Sequence, residues 1–160
     1  MIARRVIEFL KKREFVYVGT CDFKGNPNVV PKFFLRQTGR NVYLIDNAHG
    51  KTLDNIRANP RMSIAFMDVD ALVGYKIAGR VKIIERGSAY EKIMAQMRRK
   101  SVVLSARRIA EGVRRERHSH GYELEFPEDC VIYQMRMQEV VEVDTAGNIL
   151  KERVRKKKRE

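Results

Sequence analysis

A chain of 160 residues with 44% hydrophobic residues has room for one domain and a real core. No apolar run approaches the ~20 residues of a membrane helix, and the N-terminus mixes charge into its apolar residues, unlike a signal peptide. The formal charge of +13 directs attention to anionic partners, and the isolated Cys21 and Cys130 read as buried thiols of a reducing, cytoplasmic setting.

From the N-terminus, Ile2, Val6, Phe9 and Leu10 recur at helical spacing and predict an amphipathic helix from about Ile2 to Arg13. Phe15 to Cys21 reads as a strand, and Asp22-Phe23-Lys24-Gly25 as a turn. Asn28 to Leu35 is a second strand. Pro31 cannot donate to a ladder, so it must lie at an edge or a bulge. Thr38-Gly39-Arg40-Asn41 turns into a third strand around Val42 and Leu44, which Asp46, Asn47 and Gly50 end. A short helix carrying Leu53 and Ile56 follows and stops before Pro60. Met62 to Met67 is a fourth strand. Leu72 to Glu85 is a long fifth, with Val73, Tyr75, Ile77, Gly79, Val81 and Ile83 on one face. Gly79 predicts a bulge or a close backbone approach.

Gly87 to Arg98 and Ser101 to Arg117 read as two helices, the second with a narrow apolar stripe of Val102, Ala106, Ile109 and Val113. Met94 and Met97 read as core or interface fillers. A last strand runs from about Cys130 to Val143, bent in its middle. Asp144 to Asn148 turns, and a basic tail follows. The expected fold is mainly β with flanking helices, a small antiparallel barrel whose closure removes exposed strand edges. It spans residues 1–150, with a basic helical insertion at about 88–120 and a tail at 151–160.

The richest stretch is VYLIDNAHGKTLDNIRANP, from Val42 to Pro60. Lys51 and Thr52 stand where a helix begins, and a helix start offers unpaired N–H groups and partial positive charge. An ammonium and a hydroxyl added there make a phosphate seat. A nucleotide P-loop is excluded, because its first glycine would fall at Ile45. The plainer alternative is an exposed lysine at an ordinary helix start.

The charge is unevenly placed. Arg98 to Arg117 holds eight Lys/Arg against two Glu, and Lys151 to Glu160 holds seven against two. These segments read first as a solvated helix face and a mobile tail unnecessary for ligand binding, and second as a nucleic-acid surface. No aromatic platform is interleaved with them, which weighs against nucleic acid. His118 and His120 lack a third ligand at a telling spacing, so no metal site is expected. No catalytic residue is identifiable.

The order helix, FVYVGTCDFKGNPNVVPKFF, NVYLIDNAHGKTLDNIRANPRMSIAF and VGYKIAGRVKII resembles the FMN-binding split β-barrel of the pyridoxamine 5′-phosphate oxidase-like superfamily. The resemblance covers about Val6 to Arg86 and the last strand, and the region from Ser88 to Glu128 is longer and more basic than the minimal family core. It implies FMN at the interface of a homodimer. Lys51 and Thr52 match the family's phosphate-binding pair. Many members have two basic residues there, and the threonine matches the small bacterial FMN-binding proteins. Val30, Pro31, Lys32 and Phe33 match the strand along the isoalloxazine ring and ribityl chain. Ile45, Asp46 and Asn47 match the strand end that closes over the flavin, and Tyr75 the segment facing the partner's flavin.

Lys32 is weighed as a cation beside the ring's N1–C2=O end, against a lysine pointing to solvent from an edge strand. The C-terminal tail has no counterpart of the oxidase's substrate-binding residues, which argues against pyridoxamine phosphate oxidation. The expected function is a flavin-dependent oxidoreductase with a small-molecule electron donor or acceptor. The alternatives are a non-catalytic flavin or electron carrier, a deazaflavin- or haem-binding relative, and a nucleic-acid-binding module.

Overall fold

The computed structural model describes residues 2–47, 49–114, 126–127 and 129–155. Among these residues, three helices and seven strands follow in the order α1 (Ile2–Leu10), β1 (Phe15–Cys21), β2 (Pro27–Thr38), β3 (Asn41–Asp46), α2 (Lys51–Ala58), β4 (Arg61–Asp68), β5 (Val73–Ile84), α3 (Ser88–Arg114), β6 (Val131–Val143) and β7 (Ile149–Arg153). The antiparallel order β3-β2-β1-β4-β5-β6-β7 closes on itself because β3 also pairs with β6. Six strands thus form the barrel and β7 lies outside it. β6 reaches both because its two halves have different neighbours. Val131 to Arg136 pairs with β3, and Glu139 to Val143 pairs with β7.

The barrel interior is filled by alternate residues of each strand, including Val16, Val18, Leu44, Ile64, Ile77 and Met135, and is plugged by Val6 and Leu10 of α1 and Leu53 and Ile56 of α2. A second core lies on the outer side of β2, β3 and β6. There Phe33, Leu35, Ile45 and Ile132 pack under Tyr90, Ile93, Met94 and Met97 of α3. The two cores explain why β2 reads Phe33-Phe34-Leu35 without alternation: both of its faces are covered there.

Two local expectations hold. Residues 27–31 of β2 pair with β1 alone, because the β2–β3 ladder begins at Phe33, so Pro31 sits where its missing N–H costs no ladder bond. The β5–β6 register slips between Ala78 and Gly79, and a Cβ at Gly79 would collide with the Arg136 carbonyl. Gln138 is the extra residue, and it gives β6 the bend expected in its middle.

Two expectations are corrected. The predicted pair of helices after Gly87 is one continuous α3. The charges at Arg98 to Lys100 interrupt the apolar pattern without breaking the helix: the Ser101 hydroxyl donates to the Arg98 carbonyl, and the Lys100 ammonium donates to the carbonyls of Phe34 and Leu35 at 2.7 and 2.8 Å. Burial pushes the Lys100 pKa down. The apolar stripe noted on that segment is exposed at Val102, Ile109 and Val113, and Leu104, outside it, is the buried residue. The tail does not begin at 151. Residues 151–153 complete β7, Val154 donates its N–H to the Gln138 carbonyl, and Glu152 accepts from the Ala3 N–H at the start of α1. Alternation in Ile149 to Val154 is masked by lysine and arginine, which is why composition alone hid the strand. Residues 156–160, His118 and His120 lie outside the described residues.

Candidate functional site

Helix α2 opens at Gly50, whose extended backbone supplies no side-chain cap. The first amides to bond back are those of Leu53 and Asp54, both to the Gly50 carbonyl. The N–H groups of Lys51 and Thr52 therefore precede any intrahelical acceptor and face outward from the positive end of the helix. The Lys51 side chain is half exposed, and its ammonium lies 3.8 Å from the Asp22 carboxylate in the β1–β2 turn. Hydrogen bonds from the Asn26 side chain and backbone, then the Lys24 N–H and the Lys51 charge, hold the Asp22 carboxyl below the usual carboxylate range.

Behind this opening, polar pairs bind α2 to the barrel. Asn28 Nδ2 donates to the buried Thr52 hydroxyl at 3.1 Å, which leaves that hydroxyl its own proton to donate. Asn55 Nδ2 donates to Thr20 at 3.1 Å, and Asn55 Oδ1 is buried with no partner. Beside the Asn28 pair runs an open cleft of about 640 Å³, whose lining includes the small residues Gly19, Ser63, Ala78 and Gly79 with Asn28 and Arg61 at its rim. A volume of that size suits a cofactor-sized ligand, and small residues make a flat floor.

The residues singled out in the sequence separate into four groups. The first is strung along one face of β2: Thr52, next to Lys51, bonds Asn28, Lys32 bonds Asp46, and Val30 lies between Asn28 and Lys32. Lys32 is neither turned to solvent nor presented as an open charge. Its ammonium donates to the fully buried Asp46 carboxylate at 2.5 Å, and Tyr133 donates its hydroxyl to the same carboxylate at 2.8 Å. Burial first, and the Asp46 hydrogen bond second, push the Tyr133 pKa far up, so it remains a neutral donor. Phe33 and Ile45 are direct partners on β2 and β3 and face the other way, into the core beneath α3. Pro31 and Asn47 are exposed.

Tyr75 is not brought to these groups. Its ring packs against Phe9 and Phe66 at centroid distances of 5.2 and 5.5 Å in the barrel interior. Sequence reasoning missed Asn28, Asn55 and Tyr133. The first two sit on the faces of β2 and α2 that also carry Val30 and Thr52, a shared periodicity that could have marked them. His49 is held by the Asp129 carbonyl at 2.9 Å.

Comparison with known proteins bears on this site. The sequence profile of the pyridoxamine 5′-phosphate oxidase family matches residues 2–120. A comparison with curated proteins found no match. Among solved structures, a protein related to general stress protein 26, of the pyridoxinephosphate oxidase family, from Clostridium acetobutylicum superposes with a TM-score of 0.64 at 13% identity, over 96% of this chain and 92% of that one. A pyridoxamine 5′-phosphate oxidase-related, FMN-binding protein from Nostoc punctiforme gives 0.57 at 10% identity, over 97% and 95%. A haem-binding protein from Mycobacterium smegmatis gives 0.63 at 15% identity, over 96% of this chain and 58% of that one. At these identities the structures establish a shared fold, and the profile match establishes descent: this chain belongs to the pyridoxamine 5′-phosphate oxidase family.

Proposed function

We propose that this protein binds FMN, with the phosphate at the start of α2, and serves as a flavin-dependent oxidoreductase. The observation that carries the reading is the uncapped start of α2, where unbonded amides, the half-exposed Lys51 and the Thr52 hydroxyl converge beside the open cleft. This donor set fits a phosphate monoester. Bound FMN would supply hydride and electron transfer at its ring. The chain's own part is to bind and orient. Lys51 neutralises the phosphate, Asn28 holds Thr52 in place, and the Lys32–Asp46–Tyr133 cluster fixes the middle of β2 against the end of β3 and the start of β6.

The same reading includes a homodimer. The outer face of β1, β2 and β4 exposes Tyr17, Val29 and Met67 at 61%, 66% and 47%, an apolar surface on adjacent strands of a kind that marks an interface. Its register supports this, since Tyr17 stands opposite both Pro31 and Ala65.

Titrating the full chain with FMN and with riboflavin tests the reading. FMN is expected to bind at least about tenfold more tightly, the minimum for a charge-assisted phosphate contact. Equal affinity for both would place the phosphate elsewhere.

A further inference from the structure

We propose that the outer wall of the barrel carries a second anion site: a groove over β3, β5 and β6 that takes a compact anion with two or more phosphoryl groups. The groove encloses about 610 Å³, and its lining includes Arg40, Arg80, Lys82 and Arg136, with no carboxylate among the described residues.

The register shows why these charges meet. Arg61 stands opposite Arg80, Arg80 opposite Arg136, and Arg136 opposite Asn41. Directly opposed residues on antiparallel neighbours project from the same face, so three guanidinium groups form one row across β4, β5 and β6; Arg61 and Arg80 at one end of it also line the neighbouring cleft, whereas Lys82 and Arg136 belong to the groove alone. Lys82, two residues beyond Arg80, adds a fourth cation on that face opposite Gln134. At a strand spacing of roughly 4.8 Å the arginine row spans about 10 Å.

Like charges placed directly opposite one another oppose folding. Among the described residues nothing offsets them, since Arg40, Arg61, Arg80, Lys82 and Arg136 make no ion pair. Arg40 is fixed at the rim by donating from Nη2 to the Met137 carbonyl at 3.2 Å, and its Nε is buried without a partner. A bound anion would relieve the repulsion. Guanidinium forks match phosphoryl oxygens two at a time, and a row of this length needs more than one phosphoryl group to fill it. A nucleic-acid strand fits less well, because Tyr43, the aromatic in the neighbouring row, already has the Arg36 guanidinium 4.6 Å over its ring and is partly buried against the core beneath α3.

The test uses the full-length protein as purified, at low ionic strength, with inorganic tripolyphosphate as the probe in calorimetric titration. One tripolyphosphate per chain is expected to bind. Lys82→Gln/Arg136→Gln should weaken it at least about tenfold, and Lys51→Ala should leave it unchanged. If the double variant folds poorly, Lys82→Gln alone, at an exposed position, should still weaken binding about threefold. Equal affinity in wild type and the Lys82 and Arg136 variants would overturn the proposal. So would loss of binding in Lys51→Ala, which would place the anion at the start of α2. Binding of a single-stranded oligonucleotide without any binding of tripolyphosphate would also overturn it.

Discussion

Two residues at the α2 end of the barrel do separable work. Lys51 is half exposed and shares its charge only with Asp22 across 3.8 Å, so its removal should scarcely disturb the fold. Lys51→Ala is expected to weaken FMN by about 1.5–3 kcal/mol, as for a hydrogen bond to a charged group, while riboflavin affinity stays the same in parallel titrations. Asp46 is the opposite case. It is fully buried and accepts from both Lys32 and Tyr133. Asp46→Ala strips a nearly buried ammonium of its counter-charge and should cost about 3–5 kcal/mol of stability by urea unfolding. A loss below about 1 kcal/mol would mean that the pair is solvated and contributes as a surface ion pair does. The sequence displayed Lys51 plainly, because a glycine loop before an amphipathic turn is a local signal. It concealed the fate of Lys32, because its counter-charge Asp46 is fourteen residues away on β3 and the Tyr133 hydroxyl that completes the cluster arrives on β6 only through barrel closure.

At the level of elements, the strands were readable because their faces alternate, and α3 was not. Its buried side is defined by Tyr90, Ile93, Met94 and Met97 and then changes character at Lys100, where two backbone carbonyls take the ammonium. Charge at that point looks like a break and is a contact. Gly79 was read correctly from its position in a strand. Gly79→Ala forces a Cβ against the Arg136 carbonyl and should cost about 1–3 kcal/mol in urea unfolding, the range for overpacking a dense site.

The two hairpin tips, Asp22 to Asn26 and Asp144 to Asn148, share one solution. In each, the aspartate accepts from the asparagine side chain and backbone, and its carboxyl is held below the usual range chiefly by that side-chain bond. Both groups favour the folded state when ionised. That contribution is present above the unfolded value of about 3.9 and fades as pH falls through the lowered folded value. NMR titration should find both carboxyls ionising below ordinary aspartates, and a normal value at either tip would contradict the turn geometry. β7 ties the last strand to α1 through Glu152 and the Ala3 N–H. Truncation after Leu150 should therefore lower stability by about 1 kcal/mol or more, while changing FMN affinity by less than a factor of about two, roughly 0.4 kcal/mol.

For the whole molecule, element order revealed the barrel because antiparallel neighbours in sequence are neighbours in the sheet, from β3 back to β1 and again from β4 to β7. No single segment carries closure between β3 and β6; the number of strands and the need to remove exposed edges suggested a closed barrel, but not which two strands would meet. No helix among the described residues is long and apolar enough to cross a membrane. The exposed Tyr17, Val29 and Met67 should lie in a subunit interface, and light scattering at micromolar concentration should return about twice the 18.7 kDa chain mass. A lysine at Val29, on that face, should shift the protein toward monomer.

The central claim is the identity of the cofactor, and the absorption spectrum of the purified protein, with mass spectrometry of the small molecule it releases on denaturation, tests it most directly. The account predicts an oxidised-flavin spectrum and released FMN. A haem Soret band, a deazaflavin, or failure to take up added FMN at micromolar concentration would contradict it.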